Sequence, residues 1–331
     1  MSIKRFAGML LVGLLLLSGA FAAAQDTPTI ADIVVASATG DMPEFTLLLA
    51  AVQAADPAVL ETLADPEAEL TVFAPTDAAF AALGEETLNA VLADQELLTS
   101  ILLFHAVPGV YMSSDVVAAF EANDGAFSLP SAQGQYIDFK MDDMGVITVN
   151  GNATLVMDML DIEAANGVIH VIDAVILPET RTIADIVVDS NLAEEPEFTM
   201  LLAAVNAADP AVLEALIDPE AELTVFAPTD AAFTALGEET LNAVLADQAL
   251  LTSILLYHVV AGKVYSGDVV ALLTEADGEP VMVETLNGAM VTISATEDGV
   301  FINDAQIIMT DIDAANGVIH VIDAVILPPN G

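Results

Sequence analysis

Two stretches of this chain, 164–178 and 314–328, have the same sequence, AANGVIHVIDAVILP. A second pair, 65–80 and 218–233, is also identical and has the sequence DPEAELTVFAPTDAAF. The copies lie about 150 residues apart, which is the length of a whole domain and far longer than the unit of a solenoid. The sequence therefore predicts two copies of one domain in tandem.

The differences between the copies are more informative than the identities, because identity over such lengths indicates a recent duplication and says little about function. Residues 120–160 and 273–310 differ in sequence and in length but keep strand-like apolar content. We expect surface strands and loops there, with ligand preferences that differ between the copies. The first domain is predicted to span 27–178 and the second 179–329, with a join too short for a flexible linker.

Helix-like and strand-like segments are separated within each copy. In the first copy, helices are predicted in the first half, over 44–55, 57–63, 85–93 and 97–104. Strands are predicted in the second half, over 136–141, 146–149, 154–160 and 168–177. Helices grouped before strands indicate an α+β fold and argue against a parallel alternating one.

The first 24 residues have the character of a secretory leader. Lys4 and Arg5 precede an apolar run over 9–17, and a stretch of small residues ends at Ala24. This order predicts a cleaved signal peptide over 1–24, after which no membrane-spanning segment is expected. The alternative is an uncleaved membrane anchor, for which the apolar run is short. Because the chain has no cysteine, export brings no disulfides and each domain depends on its own core.

Acidic residues outnumber basic ones by 50 to 5. Without the leader, three cationic side chains remain, Lys140, Arg181 and Lys263. Nucleic acids and anionic membrane surfaces are excluded as partners, because contacts with phosphates need lysine and arginine. The excess negative charge opposes compaction, and salt, low pH or divalent cations bound to the acidic surface would relieve it. The simpler interpretation is a solvated surface of carboxylates.

The segment TVFAPTDAAF combines a short apolar strand, a proline and the start of a helix. Thr76 and Asp77, like Thr229 and Asp230, are placed to cap that helix by accepting from its free backbone N–H groups. The alternative is that the two aspartates act as acids or ligands. Helix capping explains the pattern with fewer assumptions.

The closing segment NGVIHVIDAVILP combines a turn with an apolar strand. Asn166-Gly167 and Asn316-Gly317 predict hairpin turns, since both residue types tolerate positive φ. The strand is apolar on both faces, which is typical of a central strand covered on both sides. Its histidine and aspartate are an odd number of positions apart and so face opposite sides of a regular strand. These residues are His170 and Asp173 in the first copy and His320 and Asp323 in the second. No local catalytic dyad is predicted.

Each copy has two histidines, and a histidine pair with a carboxylate can bind zinc. The four histidines are His105, His170, His258 and His320. The sequence lacks the HExxH spacing of zinc proteases, a nucleophile elbow, a Gly-rich phosphate loop and an EF-hand loop. We therefore expect buried, hydrogen-bonded structural histidines, and predict no catalytic residue, metal or cofactor.

In both copies TVFAPTDAAF, a histidine segment and NGVIHVIDAVILP follow in this order, and the chain resembles the fasciclin (FAS1) domain family. The first and last segments match the family's H1 and H2 motifs. The YH motif matches Tyr257-His258, and the first copy departs from it with Phe104-His105. The resemblance implies two tandem FAS1 domains, each a β-sandwich-like wedge with flanking α-helices. It also implies a contact role for these four residues, for which packing at a helix end is the alternative.

The resemblance further implies secreted or cell-surface proteins that act in adhesion between cells or between cell and matrix. The leading hypothesis is therefore a non-enzymatic extracellular binding protein whose partner is a protein or a polysaccharide. The alternative is an extracellular carrier of an apolar small molecule, carotenoid or lipid-like, because alanine- and methionine-rich helices can line a groove. A hydrolase or metalloenzyme is a third hypothesis, for which the sequence offers the least.

Overall fold

The computed structural model describes residues 27–41, 43–123, 125–142, 144–193, 196–296 and 298–329. The predicted leader, 1–24, lies outside the described residues, and its cleavage stays a prediction. The chain divides into two compact units between Pro178 and Glu179, which we call the first and second modules. Across the described ranges no single helix is long and apolar enough to cross a membrane, although one bent helix pair in each module has the length and composition.

Helices precede most strands in the first module. Its helices are α1 (Ile30–Thr39), α2 (Thr46–Ala54), α3 (Pro57–Ala64), α4 (Asp77–Ala82), α5 (Glu85–Ala93), α6 (Gln95–Phe104) and α7 (Ser113–Ala122). Its strands are β1 (Leu70–Pro75), β2 (Ala106–Pro108), β3 (Ala126–Pro130), β4 (Tyr136–Met141), β5 (Ile147–Val149), β6 (Ala153–Thr154), β7 (Ile162–Ala164) and β8 (Gly167–Ile172). The predicted α+β class is confirmed.

Several helices of the first module begin at a residue whose side chain caps them. The Thr29 side chain accepts from the backbone N–H of Asp32, whose carboxylate accepts from the Thr29 N–H, and this capping box starts α1. Asp56 caps α3, and Pro57 occupies its first turn, where no N–H is needed. The four predicted helices are all present, and their ends differ from prediction by at most two residues.

Two four-stranded sheets form the wedge of the first module, in the orders β2-β1-β8-β7 and β3-β4-β5-β6. The pair β1–β8 is parallel and lies at the centre of the first sheet, which we call the core sheet. One face of the core sheet packs against helices α1 to α6. The other face packs against α7 and the second sheet, which we call the outer sheet. Both faces of β8 are therefore covered, as its apolar sequence predicts.

Two predicted strands are wrong in extent. β8 ends at Ile172, short of the predicted end at Leu177, because the Asp173 carboxylate accepts from the N and Oγ1 of Thr154, both at 2.6 Å. The chain bends there and leaves the sheet. The predicted strand 154–160 is instead the end of β6 followed by a 3-10 turn at Met157–Met159.

The second module has the same succession of helices as the first, but its strands form one sheet where the first module has two. Its helices are α8 (Ile183–Asn191), α9 (Thr199–Ala207), α10 (Pro210–Ile217), α11 (Asp230–Ala235), α12 (Glu238–Ala246), α13 (Gln248–Tyr257) and α14 (Ser266–Glu275). Its strands are β9 (Leu223–Pro228), β10 (Val259–Ala261), β11 (Val281–Glu284), β12 (Met290–Thr296), β13 (Gly299–Ile302), β14 (Ala305–Ala314) and β15 (Gly317–Ile322). They form one sheet in the order β10-β9-β15-β14-β13-β12-β11, with β9 and β15 parallel.

Candidate functional site

His105 follows α6 and has only 4% of its surface exposed. Its Nδ1 donates to the carbonyl of Ile101 at 2.7 Å, and its Nε2 accepts from the N–H of Ile176 at 3.2 Å. The ring therefore satisfies both a helix carbonyl and the segment after β8. The equivalent residues of the second module are His258, Ile254 and Ile326.

Burial lowers the pKa of both histidines to about 4, because the charged imidazolium would lose its hydration. At neutral pH His105 and His258 are uncharged. Since each ring nitrogen already bonds a backbone atom, metal binding at either ring would break a bond that holds the fold.

Tyr257 and Phe104 end the two equivalent helices and are also buried, with 2% and 1% of their surfaces exposed. The Tyr257 hydroxyl donates to the carbonyl of Met290 at 2.8 Å and accepts from Asn303 Nδ2 at 3.0 Å, which ties α13 to the sheet. Phe104 packs within the apolar core below the outer sheet. The structure thus corrects the contact role expected of Tyr257, His258, Phe104 and His105: these side chains face the interior, as the alternative interpretation has it.

Asn166 connects three segments that are distant in sequence. Its Oδ1 accepts from the N–H of Ile30 at 2.9 Å, and its Nδ2 donates to the carbonyls of Leu63 at 3.0 Å and Asp65 at 2.9 Å. One buried amide thereby fixes the start of α1 and the end of α3 against the hairpin. In the second module the Asn316 side chain makes the equivalent hydrogen bonds, with the backbone of Ile183, Leu216 and Asp218.

The hairpin before β8 pairs Ala164 with Gly167, so its two turn residues are Ala165 and Asn166. Gly167 is needed because it lies close to β1, and not for the turn that the sequence predicted. A Cβ at this position would lie 1.9 Å from the carbonyl oxygen of Leu70 on β1. The equivalent pair of the second module is Gly317 and Leu223, at 2.2 Å. Glycine here allows the parallel strands to approach.

Thr76 caps α4 as predicted from the pattern, by accepting from the N–H three residues later. Asp77 caps a different helix, since its carboxylate accepts from Leu47 N at 2.9 Å and Thr46 Oγ1 at 2.7 Å at the start of α2. Glu44 in turn accepts from the N–H of Asp77 at 2.6 Å, so these hydrogen bonds connect the start of α2 to the start of α4. The second module repeats this arrangement with Thr229, Asp230, Met200, Thr199 and Glu197.

His170 belongs to a polar cluster that the sequence did not indicate. Its Nε2 donates to the carbonyl of Tyr111 at 2.8 Å, and its Nδ1 accepts from the N–H of Asp161 at 3.3 Å. The Asp161 carboxylate accepts from both the N and the Oγ of Ser113 at the start of α7. The second module repeats the cluster with His320, Val264, Asp311 and Ser266.

This cluster contains the residue types of a catalytic triad, but their hydrogen bonds connect them differently. In a triad the histidine bonds the serine hydroxyl, whereas here the carboxylate of Asp161 binds Ser113 and the histidine bonds only backbone atoms. Burial acts to raise the pKa of Asp161, but the hydrogen bonds from Ser113 outweigh it and hold the pKa below its ordinary value. The arrangement fixes α7 to the hairpin and leaves no activated nucleophile.

Buried side-chain nitrogen and oxygen atoms in the described ranges all have a hydrogen-bond partner. Asp173 and Asp323, the remaining predicted motif residues, accept from Thr154 and from the N–H of Gln306 respectively. In the same part of the chain no group of three or more His, Asp or Glu side chains is placed to hold a metal ion. The shared motif residues therefore account for parts of the fold.

The outer face of the second module's sheet is the candidate binding surface. Its side chains alternate with the buried ones of β11 and β12, where Met282 pairs with Thr292 and Glu284 with Met290. Met282 and Met290 are 65% and 45% exposed and are diagonal neighbours across the strands, within reach of each other. We call Met282, Glu284, Met290 and Thr292 the methionine face.

The equivalent face of the first module has no methionine. The pairs at the equivalent positions are Ser128 with Asp138 and Pro130 with Tyr136. The Ser128 hydroxyl donates to the Asp138 carboxylate at 2.6 Å. The two modules therefore share buried motifs and present different outer sheets, which agrees with the sequence drift over these segments.

The family model of the fasciclin domain matches the chain twice, over residues 43–178 and 196–328. The chain belongs to the fasciclin domain family. Each module contains one matched segment, and the recognised H1 and H2 motifs are the segments that supply β1, β8 and their equivalents. The fold class predicted from the resemblance, two tandem FAS1 domains, is confirmed.

Several fasciclin-family proteins are similar to this chain. Transforming growth factor-beta-induced protein ig-h3 of Sus scrofa is 31% identical over 260 residues, which cover 78% of this chain and 34% of that protein. The cell surface glycolipoprotein MPB83 of Mycobacterium bovis is 38% identical over 108 residues, 33% of this chain and 44% of that protein. The chain thus spans about a third of the length of the ig-h3 protein it matches. A solved FAS1 domain pair from the insect cell adhesion molecule fasciclin I aligns with 84% of this chain and 94% of its own, at 22% identity and a TM-score of 0.39.

Proposed function

We propose that the chain is a secreted or cell-surface binding protein of the adhesion or matrix type, which holds its partner without turnover. The observation that carries this proposal is the contrast between the motifs and the methionine face. Polar side chains shared by the modules, such as Asn166 and His105, bind backbone atoms inside each module. Apolar side chains that differ between the modules lie on the surface.

The proposal includes no turnover because the ring nitrogens of the histidines are already hydrogen-bonded within the modules. A general base needs a ring nitrogen that can reach the substrate. The nitrogens of His105 bind Ile101 and Ile176, and those of His170 bind Tyr111 and Asp161. The second module repeats both arrangements.

The methionine face has the physical properties of a recognition surface. Scattered single apolar side chains are normal on protein surfaces, whereas Met282 and Met290 are cross-strand neighbours flanked by Glu284 and Thr292. Methionine is flexible and polarizable, so its side chain adapts to irregular partner surfaces. A partner can therefore bury apolar area there and meet polar groups around it.

The charge of the chain favours a partner with a basic surface. The 50 acidic residues all lie after the predicted leader, against three cationic side chains. Complementary charge speeds association and excludes anionic competitors. A basic extracellular protein fits directly, whereas an acidic polysaccharide needs divalent cations between the two surfaces. The cell-surface description of the MPB83 relative supports an extracellular setting for this chain.

The test is adhesion of the mature two-module chain, immobilised on beads, to intact cells and extracted matrix of its own host. We expect the beads to bind, and Met282→Ser with Met290→Ser to reduce the bound fraction about tenfold, as for loss of a central contact pair. The matched control is Met144→Ser with Met157→Ser, which removes two exposed methionines, 84% and 68% exposed, from the first module.

Two results would contradict the proposal. The first is that beads coated with an unrelated protein of equal acidity bind as well as those carrying the chain, which would reduce the effect to charge. Equal losses from the two methionine pairs would remove the methionine face from the proposal.

A further inference from the structure

A cavity of about 260 Å³ lies inside the second module, between helices α8, α9 and α10 and strand β9. Ile183, Ala184 and Val187 line it from α8, and Val225 lines it from β9. It is partly open to solvent, and its lining includes Val188, which is 40% exposed. The cavity lies between these helices and β9, and none of its lining residues belongs to the methionine face.

The lining of this cavity is almost entirely apolar. Its two polar residues are Asn206 and His258. Asn206 is exposed, while both ring nitrogens of His258 are bound to the backbone of Ile254 and Ile326. The interior therefore offers no free polar group of these residues to a bound water molecule, and water needs such partners to occupy a cavity.

An empty apolar cavity costs stability in proportion to its volume, because its lining loses the contacts that close packing would give. A cavity of about 150 Å³ lined by Leu, Ile and Phe stays dry and binds benzene. The cavity of the second module is larger, lined by the same kind of side chain and partly open to solvent.

We propose that the second module binds one small neutral apolar molecule in this cavity, of the class of medium-chain alcohols and single-ring hydrocarbons. The hydrocarbon part fills the space among α8, α9 and α10, and a hydroxyl, where present, lies at the opening beside Asn206. This site is independent of the adhesion proposed above, since it shares no residue with the methionine face.

Charge selects a neutral ligand over an anionic one of the same length. Arg181, the cationic residue just before α8, already pairs with Glu179 and with Asp189 at 3.0 Å. A carboxylate at the opening would meet the negative field of the chain without a free guanidinium to bind. The free energy gained by burying the same alkyl chain would then be offset by repulsion between the carboxylate and the acidic side chains.

The experiment is calorimetric titration of the mature two-module chain with 1-octanol, and with octanoate as the anion of equal length. We expect one octanol per chain and an affinity for octanoate at least about tenfold weaker. Val187→Phe places a ring in the cavity and should lower octanol affinity by at least about tenfold. The melting temperature of this variant without ligand should not fall, because the ring replaces empty space.

Val188→Glu provides a second variant at an exposed position, where folding is not at risk. It puts a carboxylate at the opening and should also weaken octanol binding, whereas its counterpart Val35→Glu in the first module, 43% exposed in the native chain, should not. The proposal is overturned if octanol gives no saturable binding, or if Val187→Phe and Val188→Glu both bind it like the native chain. Binding of octanoate as tight as that of octanol would overturn the selection for neutral ligands.

Discussion

In the second module one long strand, β14, pairs with both β13 and β15 within a single sheet, whereas the first module covers the same stretch with β6, a 3-10 turn and β7. Asn150 and Asn303 begin the stretch in equivalent left-handed conformations, with φ of 49° and 52°. Asp161 and Asp311 end it with equivalent bonds to Ser113 and Ser266. Between these fixed points the first module has three more residues, and the 3-10 turn accommodates part of the excess.

The difference shows which parts of the fold tolerate change. The unchanged segments carry side chains such as Asn166 and His105, which bond backbone atoms far away in sequence, so any shift would leave a buried group without a partner. The changed segments are held by strand pairing, which accepts many sequences. Divergence after duplication is therefore greatest in the outer strands and smaller among the helices.

The largest expected effect tests whether the two modules use their asparagines equally. Asn166→Leu and Asn316→Leu each leave one N–H and two carbonyls without their partner, so each should lower the free energy of unfolding by about 4 kcal/mol. Urea unfolding of the full chain measures this. Asn89→Leu, at an exposed position of α5, is the control and should change little. Unequal losses at Asn166 and Asn316 would show that the modules differ in their cores.

The histidines after α6 and α13 should make stability depend on pH. Burial lowers the pKa of His105 and His258 to about 4 from 6.5, so the unfolded chain binds more protons between these values. Stability is therefore present above pH 6.5 and lost as the pH falls toward 4, by about 3 kcal/mol for each histidine.

Comparison with the double variant His105→Gln with His258→Gln isolates this effect from titration of the carboxylates. Urea unfolding at about pH 7 and about pH 4.5 should give a smaller difference in the variant than in the native chain. The same difference in both proteins would refute the assignment.

The glycines before β8 and β15 should show an effect of intermediate size and a difference between modules. A Cβ at Gly167 or Gly317 would clash with β1 or β9, so alanine should cost about 2 kcal/mol at each site. Gly167 also has a φ of 151°, which alanine rarely adopts, and its substitution should be the more costly. Thermal unfolding of the two variants gives the order, and a larger cost at Gly317 would contradict it.

The smallest expected effect concerns the tyrosine that one module has and the other lacks. Tyr257→Phe removes the hydroxyl that bonds Met290 and Asn303 and should cost about 1 kcal/mol. Phe104→Tyr places a hydroxyl among apolar residues and should also destabilise, measured by urea unfolding. A gain of stability from Phe104→Tyr would mean that the first module already contains a place for the hydroxyl.

The sequence allowed prediction of most local features and few long-range ones. Helix α5 and strand β4 were predicted with their ends, because the patterns that indicate them lie within the segments themselves. The end of β8 was missed because it depends on the bond between Asp173 and Thr154, which comes from another strand. Local pattern carries no information on that contact.

The candidate site was predicted less well for the same reason. The resemblance implied a contact role for the YH residues, with packing at a helix end as the alternative, and their burial follows from how α6 and α13 pack. Asp161 was not singled out, although it precedes His170 by the same interval as Asp311 precedes His320 in the other copy. Prediction of the methionine face would have required the register of β11 against β12. Prediction of the cavity would have required the packing of three helices.

The parallel pair β1–β8 has a consequence for folding kinetics. It joins residues 70–75 to 167–172, so the central strand of each module is the last to leave the ribosome. The strands β8 and β15 are identical in sequence, as are β1 and β9, so β1 can pair with either partner. Synthesis from the N-terminus presents β8 first and directs β1 to it. Refolding from denaturant presents both strands at once, and chains with exchanged strands then compete with the native one.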